Sequence, residues 1–264
     1  MSIAHALRSL CLTCACYALL LGCGGETRVD LLLPLADGAA TPPPNPHLIH
    51  RYSFDGSDQT ARDSINGADG TLLGGAVQDG AGHAVLDGVD GYVNLPNGLV
   101  SGLKNSTIVV WLAWPDGPCW ERVFDFGSTD AGENHSGMAT SSLFMTPLRC
   151  PGTGPALSFE TAAAVLGSVD SNTAFPRQTN TPLSAVLDVS AGQMRLYAAG
   201  ELLGTGTMAP LSELSDVNCW LGRSQWAQDL YLQGSYDEFR IYDAALSPDQ
   251  LASVEAAGPD VVTP

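Results

Sequence analysis

Lysine is nearly missing from this chain: it occurs once in 264 residues, at Lys104. With 11 Lys plus Arg against 28 Asp plus Glu, the formal net charge is −17. A surface of that sign repels nucleic acid and anionic lipid headgroups, and it leaves oxygen ligands available to a hard cation such as calcium. Charged residues make up only 15% of the chain while Gly and Pro number 29 and 17, a composition that argues against long surface helices. No apolar run is long enough to be a comfortable membrane span; the longest, Ser9 to Leu21, falls short. The five His are scattered, no nucleophile elbow occurs, and glycine pairs such as Gly74-Gly75 lead into no helical pattern. These absences argue against serine-triad hydrolysis and phosphate cradling.

What is present begins with an address. Arg8 is followed by the apolar run to Leu21, the layout of a secretory leader. The run ends Leu20-Leu21-Gly22-Cys23, which resembles the bacterial lipoprotein signal, in which a small residue precedes a cysteine that is lipidated. The resemblance implies cleavage after residue 22, lipid on Cys23 and a membrane tether without a spanning helix. Gly24 is compatible with export to the outer membrane of a Gram-negative cell. Residues 23–46 end in Thr41-Pro42-Pro43-Pro44-Asn45-Pro46, a semi-rigid spacer.

Cysteine use follows from that address. Cys119, Cys150 and Cys219 remain beyond the leader and the lipid site, and an oxidising compartment favours one disulfide and one leftover thiol. Cys119 precedes the strand-like stretch 122–126 and Cys150 follows the stretch 142–146. If those strands pair antiparallel, both cysteines fall at the same end, so Cys119–Cys150 is expected, with Cys119–Cys219 as the alternative. These three offer no paired zinc spacing.

From His47 to Ala257 the pattern is short alternating strands separated by Asn-Gly and Asp-Gly turns, as at Asn66-Gly67, Asp87-Gly88 and Asn97-Gly98. Twelve stretches qualify, among them 48–54, 107–114, 122–126, 142–147, 182–189, 218–222 and 235–242, and the only helical candidate is Ser247–Ala257. One all-β domain over 47–257 accounts for them, leaving 258–264 as a tail. Thr107–Trp114 is the most apolar stretch, which makes Trp111 a core residue. The last strand alternates Tyr236, Glu238, Arg240 and Tyr242 against Asp237, Phe239 and Ile241. That places an acid, Asp237, on an apolar side, where it needs a partner.

The stretches His50–Phe54, Asp63–Leu72, Leu86–Val93, Arg122–Gly127, Trp220–Ser224 and Ser235–Tyr242, in that order, together resemble the bacterial laminin-G-like domains of the concanavalin A-like lectin/glucanase superfamily. The resemblance implies a two-sheet antiparallel jelly-roll sandwich used for recognition of sugars, glycans or proteins outside the cell. It also implies a structural calcium where the loop after the first strand meets the last strand, with Asp63 and Asp237 at the matching positions. One departure is that Pro182-Leu183-Ser184-Ala185-Val186 stands where relatives carry a Trp-His-His-Val-like segment.

Glucanases on this fold need an acid-x-acid-x-x-acid strand, and no Glu-x-Asp-x-x-Glu run occurs here. Asp237 and Glu238 are adjacent and point to opposite faces, unsuited to paired acid/base work. For ligand contact, the stretch from Trp220 to Tyr231 mixes aromatics with polar groups, and Arg223, Trp226 and Tyr231 are the candidates, Trp226 foremost. Trp220 and Tyr231 read more readily as core residues at strand ends. The expectation is a lipid-anchored, non-catalytic module on the cell surface that binds a glycan or a surface protein. A divergent glycan hydrolase and a structural or adhesive envelope lipoprotein are the alternatives.

Overall fold

The computed structural model describes residues 48–177 and 179–262. The expected leader (residues 1–22), the expected lipid site Cys23 and the expected spacer 23–46 lie outside them. The described residues form β1 (Leu48–Tyr52), β2 (Thr60–Ala61), β3 (Gly70–Leu73), β4 (Val77–Gln78), β5 (Ala84–Asp87), β6 (Tyr92–Leu95), β7 (Ser106–Ala113) and β8 (Phe124–Thr129). They continue with β9 (Ala139–Thr146), β10 (Ala156–Thr161), β11 (Val165–Asp170), β12 (Thr181–Asp188), β13 (Gln193–Ala198), β14 (Glu201–Thr207), β15 (Asn218–Leu221), β16 (Gln233–Tyr242) and the helix α1 (Pro248–Ala257).

Two antiparallel sheets result, a jelly-roll sandwich as expected. The first runs β14-β13-β12-β7-β16-β5-β4, with β1 also on β16; the second runs β11-β10-β9-β8-β15-β6-β3-β2. The long β16 pairs with β7 on one side and, on the other, with β5 near its start and β1 near its end. First and last strands therefore do lie together, with Tyr52 opposite Phe239 and Arg51 opposite Arg240.

The expected alternation in β16 needs one correction. The register shifts between Tyr236, opposite Leu112, and Glu238, opposite Trp111, so Asp237 is the extra residue of a β-bulge. Tyr236 consequently joins Phe239 and Ile241 in the core between the sheets, while Glu238, Arg240 and Tyr242 face outward. Asp237 escapes the apolar side and meets Asn180 at the surface. Phe239 packs edge-on against Phe124 and Phe126 at 6.2 Å, each such buried ring contributing roughly 1.5–3 kcal/mol.

The outward face of the first sheet is covered by α1, whose Leu251 and Val254 pack with Trp111 and Tyr242. Ser247 caps this helix: its hydroxyl accepts from the Gln250 N–H, and the Gln250 side chain accepts from the Ser247 N–H. Just past the helix, Arg51 and Arg240 both donate to the Pro259 carbonyl, and Glu238 accepts from Arg51 Nε at 2.6 Å and from Arg240 Nε. The outer face of the second sheet carries no helix among the described residues, only loops.

Candidate functional site

Pairing across the second sheet sets Asn94, Trp220, Asp125, Phe144 and Ser158 in one row. Their sequence neighbours Cys219, Phe124, Phe126, Leu143, Met145 and Leu157 fill the core between the sheets, so the row faces outward. Two loops, 130–138 and 222–232, fold over it and hold each other. Gly137 N–H donates to Gln225 O at 2.9 Å, Ala227 N–H donates to Gly137 O at 2.9 Å, and Gly137 and Trp226 form a parallel bridge. Gly137 lies against the Asp130 side chain: a Cβ there would be 2.4 Å from Asp130 Oδ1 and would displace it.

Beneath the loops sits a buried charge network. Arg122 donates from Nε to Asp125 Oδ2 at 3.2 Å, from Nη2 to Asp229 Oδ2 at 2.7 Å, and from Nη1 to the Trp120 carbonyl. Its guanidinium also lies 4.1 Å from the Phe144 ring centre. Asp125 is wholly buried and accepts as well from Ser142 Oγ at 2.6 Å and Gln225 N–H at 3.0 Å. Burial pushes its carboxyl up to about 6, against the opposing pull of Arg122 and those two hydrogen bonds. Ser224 donates to Asp229 Oδ2 at 2.9 Å and accepts from Trp226 N–H at 3.0 Å.

Two pockets open above this network. One, of about 390 Å³, is lined by Trp120, Arg122, Phe144, Glu160, Trp226, Gln228 and Asp229. The other, of about 220 Å³, is lined by residues that include His135, Ser136, Arg223, Trp226, Asp229 and Tyr231. Trp226 and Asp229 belong to both. Trp120 adopts φ 71°, uncommon for a bulky residue. It is placed there by its N–H to Leu148 O at 3.0 Å, its carbonyl on Arg122, and the disulfide at the preceding residue.

The expected ligand residues Arg223, Trp226 and Tyr231 are thus brought together in one pocket. Arg223 is not a loose surface cation. Its guanidinium stacks 4.0 Å from the Trp220 ring centre and 4.6 Å from that of Tyr92, while Nε donates to Ser136 Oγ at 3.1 Å. Trp220 is wholly buried beneath it and donates to Asn94 Oδ1 at 2.9 Å. The larger pocket, with Arg122, Phe144 and Glu160, went unseen in the sequence. Phe144, Glu160 and Arg122 come from β9, β10 and the approach to β8, and no local pattern announces that they meet the loop carrying Trp226.

The expected disulfide Cys119–Cys150 is formed, with 5.7 Å between its Cα atoms, and Cys219 is free and buried. The calcium expectation fares differently. Asp63 accepts five hydrogen bonds, from His50 Nδ1 and from the N–H groups of Arg51, Ile65, Asn66 and Ala68. A carboxylate so saturated with donors has no lone pair facing outward for a cation. Asp237 accepts from Asn180 Nδ2. Among the described residues no group of three His, Cys, Asp or Glu side chains could hold a metal ion. The pair therefore does not fit a shared calcium site.

Two packed antiparallel sheets with a loop-built pocket on one outer face define a lectin-type jelly roll. A family model of the concanavalin A-like lectin/glucanases superfamily matches residues 87–252, more than half of the chain, and the chain belongs to that superfamily. A search of curated proteins finds no match. Among solved structures, domain 4 of AbnA, a GH43 extracellular arabinanase from Geobacillus stearothermophilus in complex with arabinotriose, is 22% identical, with TM-score 0.64 over 80% of this chain and 98% of that one. A Trypanosoma rangeli sialidase in complex with sialic acid is 13% identical, with TM-score 0.59 over 80% of this chain and 33% of the sialidase. A botulinum neurotoxin type C structure is 11% identical, with TM-score 0.56 over 80% and 51% of the two chains. At these identities the likeness is one of fold.

Proposed function

We propose that this protein is a non-catalytic recognition module that binds carbohydrate on the outer face of its second sheet. It contacts the ligand through Trp226 and Trp120, with Arg223, Asp229 and Tyr231 as the polar and aromatic surround. The observation that carries the reading is the pair of half-exposed tryptophans at pockets whose polar groups are already fixed by buried partners. An indole face stacks on the C–H face of a sugar while fixed polar groups meet its hydroxyls, and fixing them beforehand lowers the entropic cost of binding. The arabinotriose in the arabinanase domain supports the reading, since that domain shares the fold over nearly its whole length.

Binding is favoured over hydrolysis on positional grounds. Asp125 has the raised pKa of an acid catalyst, yet it is wholly buried and engaged by Arg122, Ser142 and Gln225, so no substrate atom can reach it. Asp229 is tied to Arg122 and Ser224.

The same proposal places the module outside the cytoplasm, anchored by lipid on Cys23 at the outer membrane of a Gram-negative cell, with residues 23–46 as spacer and 47–257 as the recognition domain. The Leu20–Cys23 motif supports this, and a disulfide belongs in an oxidising compartment. Glycan-array binding by the purified protein, lost in Trp226→Ala, is the expected result. An array on which the protein binds nothing, or on which the variant binds unchanged, defeats the proposal. Reducing-sugar release from a bound glycan would restore the hydrolase reading.

A further inference from the structure

We infer that the ligand is a neutral oligosaccharide at least two units long, which lies across Trp226 with one unit in each pocket. This rests on the carbohydrate reading above and adds the size and charge class of the ligand.

The first ground is geometry. The two pockets, about 390 and 220 Å³, meet at Trp226 and Asp229. Each is far larger than the roughly 10–15 Å³ that a single water needs, so each has room for a ligand group rather than for one solvent molecule. Trp226 is a fixed divider because its backbone is held on both sides: Ser224 Oγ accepts its N–H, its carbonyl accepts Asp229 N–H at 3.2 Å, and Gly137 bridges it. A single ring fills one side and leaves the other indole edge wet. A chain of two or more covers both sides.

The second ground is charge. Glu160 and Asp229 face the larger pocket, and the cation there, Arg122, is committed to Asp125, Asp229 and the Trp120 carbonyl. In the smaller pocket Asp229 stands with His135 and with Arg223, whose guanidinium is stacked on Trp220 and donates to Ser136 Oγ and the Asn134 carbonyl. A carboxylate-bearing sugar in the larger pocket would meet two like charges and a cation already spoken for, in a chain of net charge −17. Sugar hydroxyls, by contrast, can donate to Glu160 and Asp229.

Calorimetric titration of the full chain with arabinose, arabinobiose and arabinotriose, the matching xylose and glucose series, and trigalacturonate tests this. At least one neutral series should gain roughly tenfold or more in affinity from one unit to two, and trigalacturonate should bind at least tenfold more weakly than the neutral trimer. Trp226→Ala should erase the dependence on length, and Glu160→Gln should narrow the gap between neutral and anionic trimers. Equal affinity for monomer and trimer, or a preference for trigalacturonate, overturns the inference and leaves carbohydrate binding intact. If a folded protein binds none of these sugars and no glycan on an array, the carbohydrate reading itself fails, and this inference with it.

Discussion

Arg122 Nη2 donates to Asp229 Oδ2 at 2.7 Å across 107 positions of sequence. That bond joins the approach to β8 with the loop after β15, and so joins the floor of one pocket to the wall shared by both. Through its Nε the same guanidinium holds Asp125, a carboxylate with no solvent contact. The proposed recognition face is therefore organised from underneath by one arginine.

Replacement of Arg122 should be among the most damaging changes in the protein. Arg122→Met leaves Asp125 buried without its cation and releases both Trp120 and Asp229. Removing one member of a buried pair costs about 3–5 kcal/mol, and urea denaturation should show a loss of that size. The double variant Arg122→Met with Asp125→Leu removes both charges and should recover much of the stability without recovering glycan binding. Unchanged stability in the single variant would mean the network is not closed as seen.

Asp125 also sets a direction for pH dependence. Its folded carboxyl lies near 6, above the ordinary 3.8, so the folded state holds the proton more tightly than the unfolded one. The stabilisation from this proton is complete below the unfolded value and is lost as pH rises through the folded one. Asp63 behaves in the opposite sense. Despite the upward push of burial, the His50 and backbone hydrogen bonds hold its carboxyl below the usual range, so its contribution is present at neutral pH and is lost on acidification. The stability of wild type relative to Asp125→Asn should therefore fall between about pH 4 and about pH 7. A flat difference across that window would contradict the assignment.

Asp63 gives a separate test of the calcium expectation. Its five accepted hydrogen bonds tie the turn 63–68 to β1. Their loss in Asp63→Ala should cost roughly 3 kcal/mol, given that hydrogen bonds to charged groups outweigh neutral ones. The thermal midpoint of wild type should not move between millimolar calcium and EGTA. A calcium-dependent rise in wild type that disappears in Asp63→Ala or Asp237→Ala would show a metal displacing those donors.

Much of this architecture was legible in the sequence because it rests on local signals. Asx-Gly turns and period-2 runs marked twelve strands, and the Ser247-Pro248 start marked α1. Strands β2, β4, β11 and β14, which end the two sheet paths, were missed; β2 and β4 have two residues each, and β11 and β14 present exposed residues such as Val165 and Leu202, so none shows a clean alternation. The bulge at Asp237 was visible only as an acid on the wrong face. Its physical cause, one extra residue opposite Trp111 and Leu112, requires the partner strand. The same limit explains the site. Arg223, Trp226 and Tyr231 lie within nine residues and could be read together, whereas Glu160 and Trp120 meet Trp226 only after the sheet has formed.

The disulfide should matter to Trp120 as well as to stability. Cys119–Cys150 closes a loop with a sequence separation of 31, and a constraint of that span is worth about 3–4 kcal/mol in the chain-entropy picture. Cys119→Ser with Cys150→Ser should lower stability by that order. It should also weaken glycan binding beyond the loss expected from unfolding, because Trp120 follows Cys119 directly in a left-handed conformation. Binding measured well below the variant's melting temperature separates the two effects; equal affinity there would mean that Leu148 and Arg122 suffice to place the ring.

Gly137 offers the cleanest separation of binding from folding. A methyl group at this position would fall 2.4 Å from Asp130 Oδ1 and 3.1 Å from the Ala131 Cβ, while Asp130 Oδ1 is already engaged by the Met138 N–H at 2.8 Å. Gly137→Ala must therefore displace the Asp130 carboxylate from the Met138 N–H and reshape loop 130–138 from within, which weakens the bridge that fixes Trp226. Both loops lie on the face opposite the core, so the rings of Phe124, Phe126 and Phe239 keep their packing. The expected result is a stability loss of about 1–2 kcal/mol together with at least a tenfold drop in affinity for the oligosaccharide, measured by calorimetry. Ligand binding at wild-type strength in this variant would show that Trp226 reaches its position without the bridge, and that its preorganisation comes from Ser224 and the buried arginine alone.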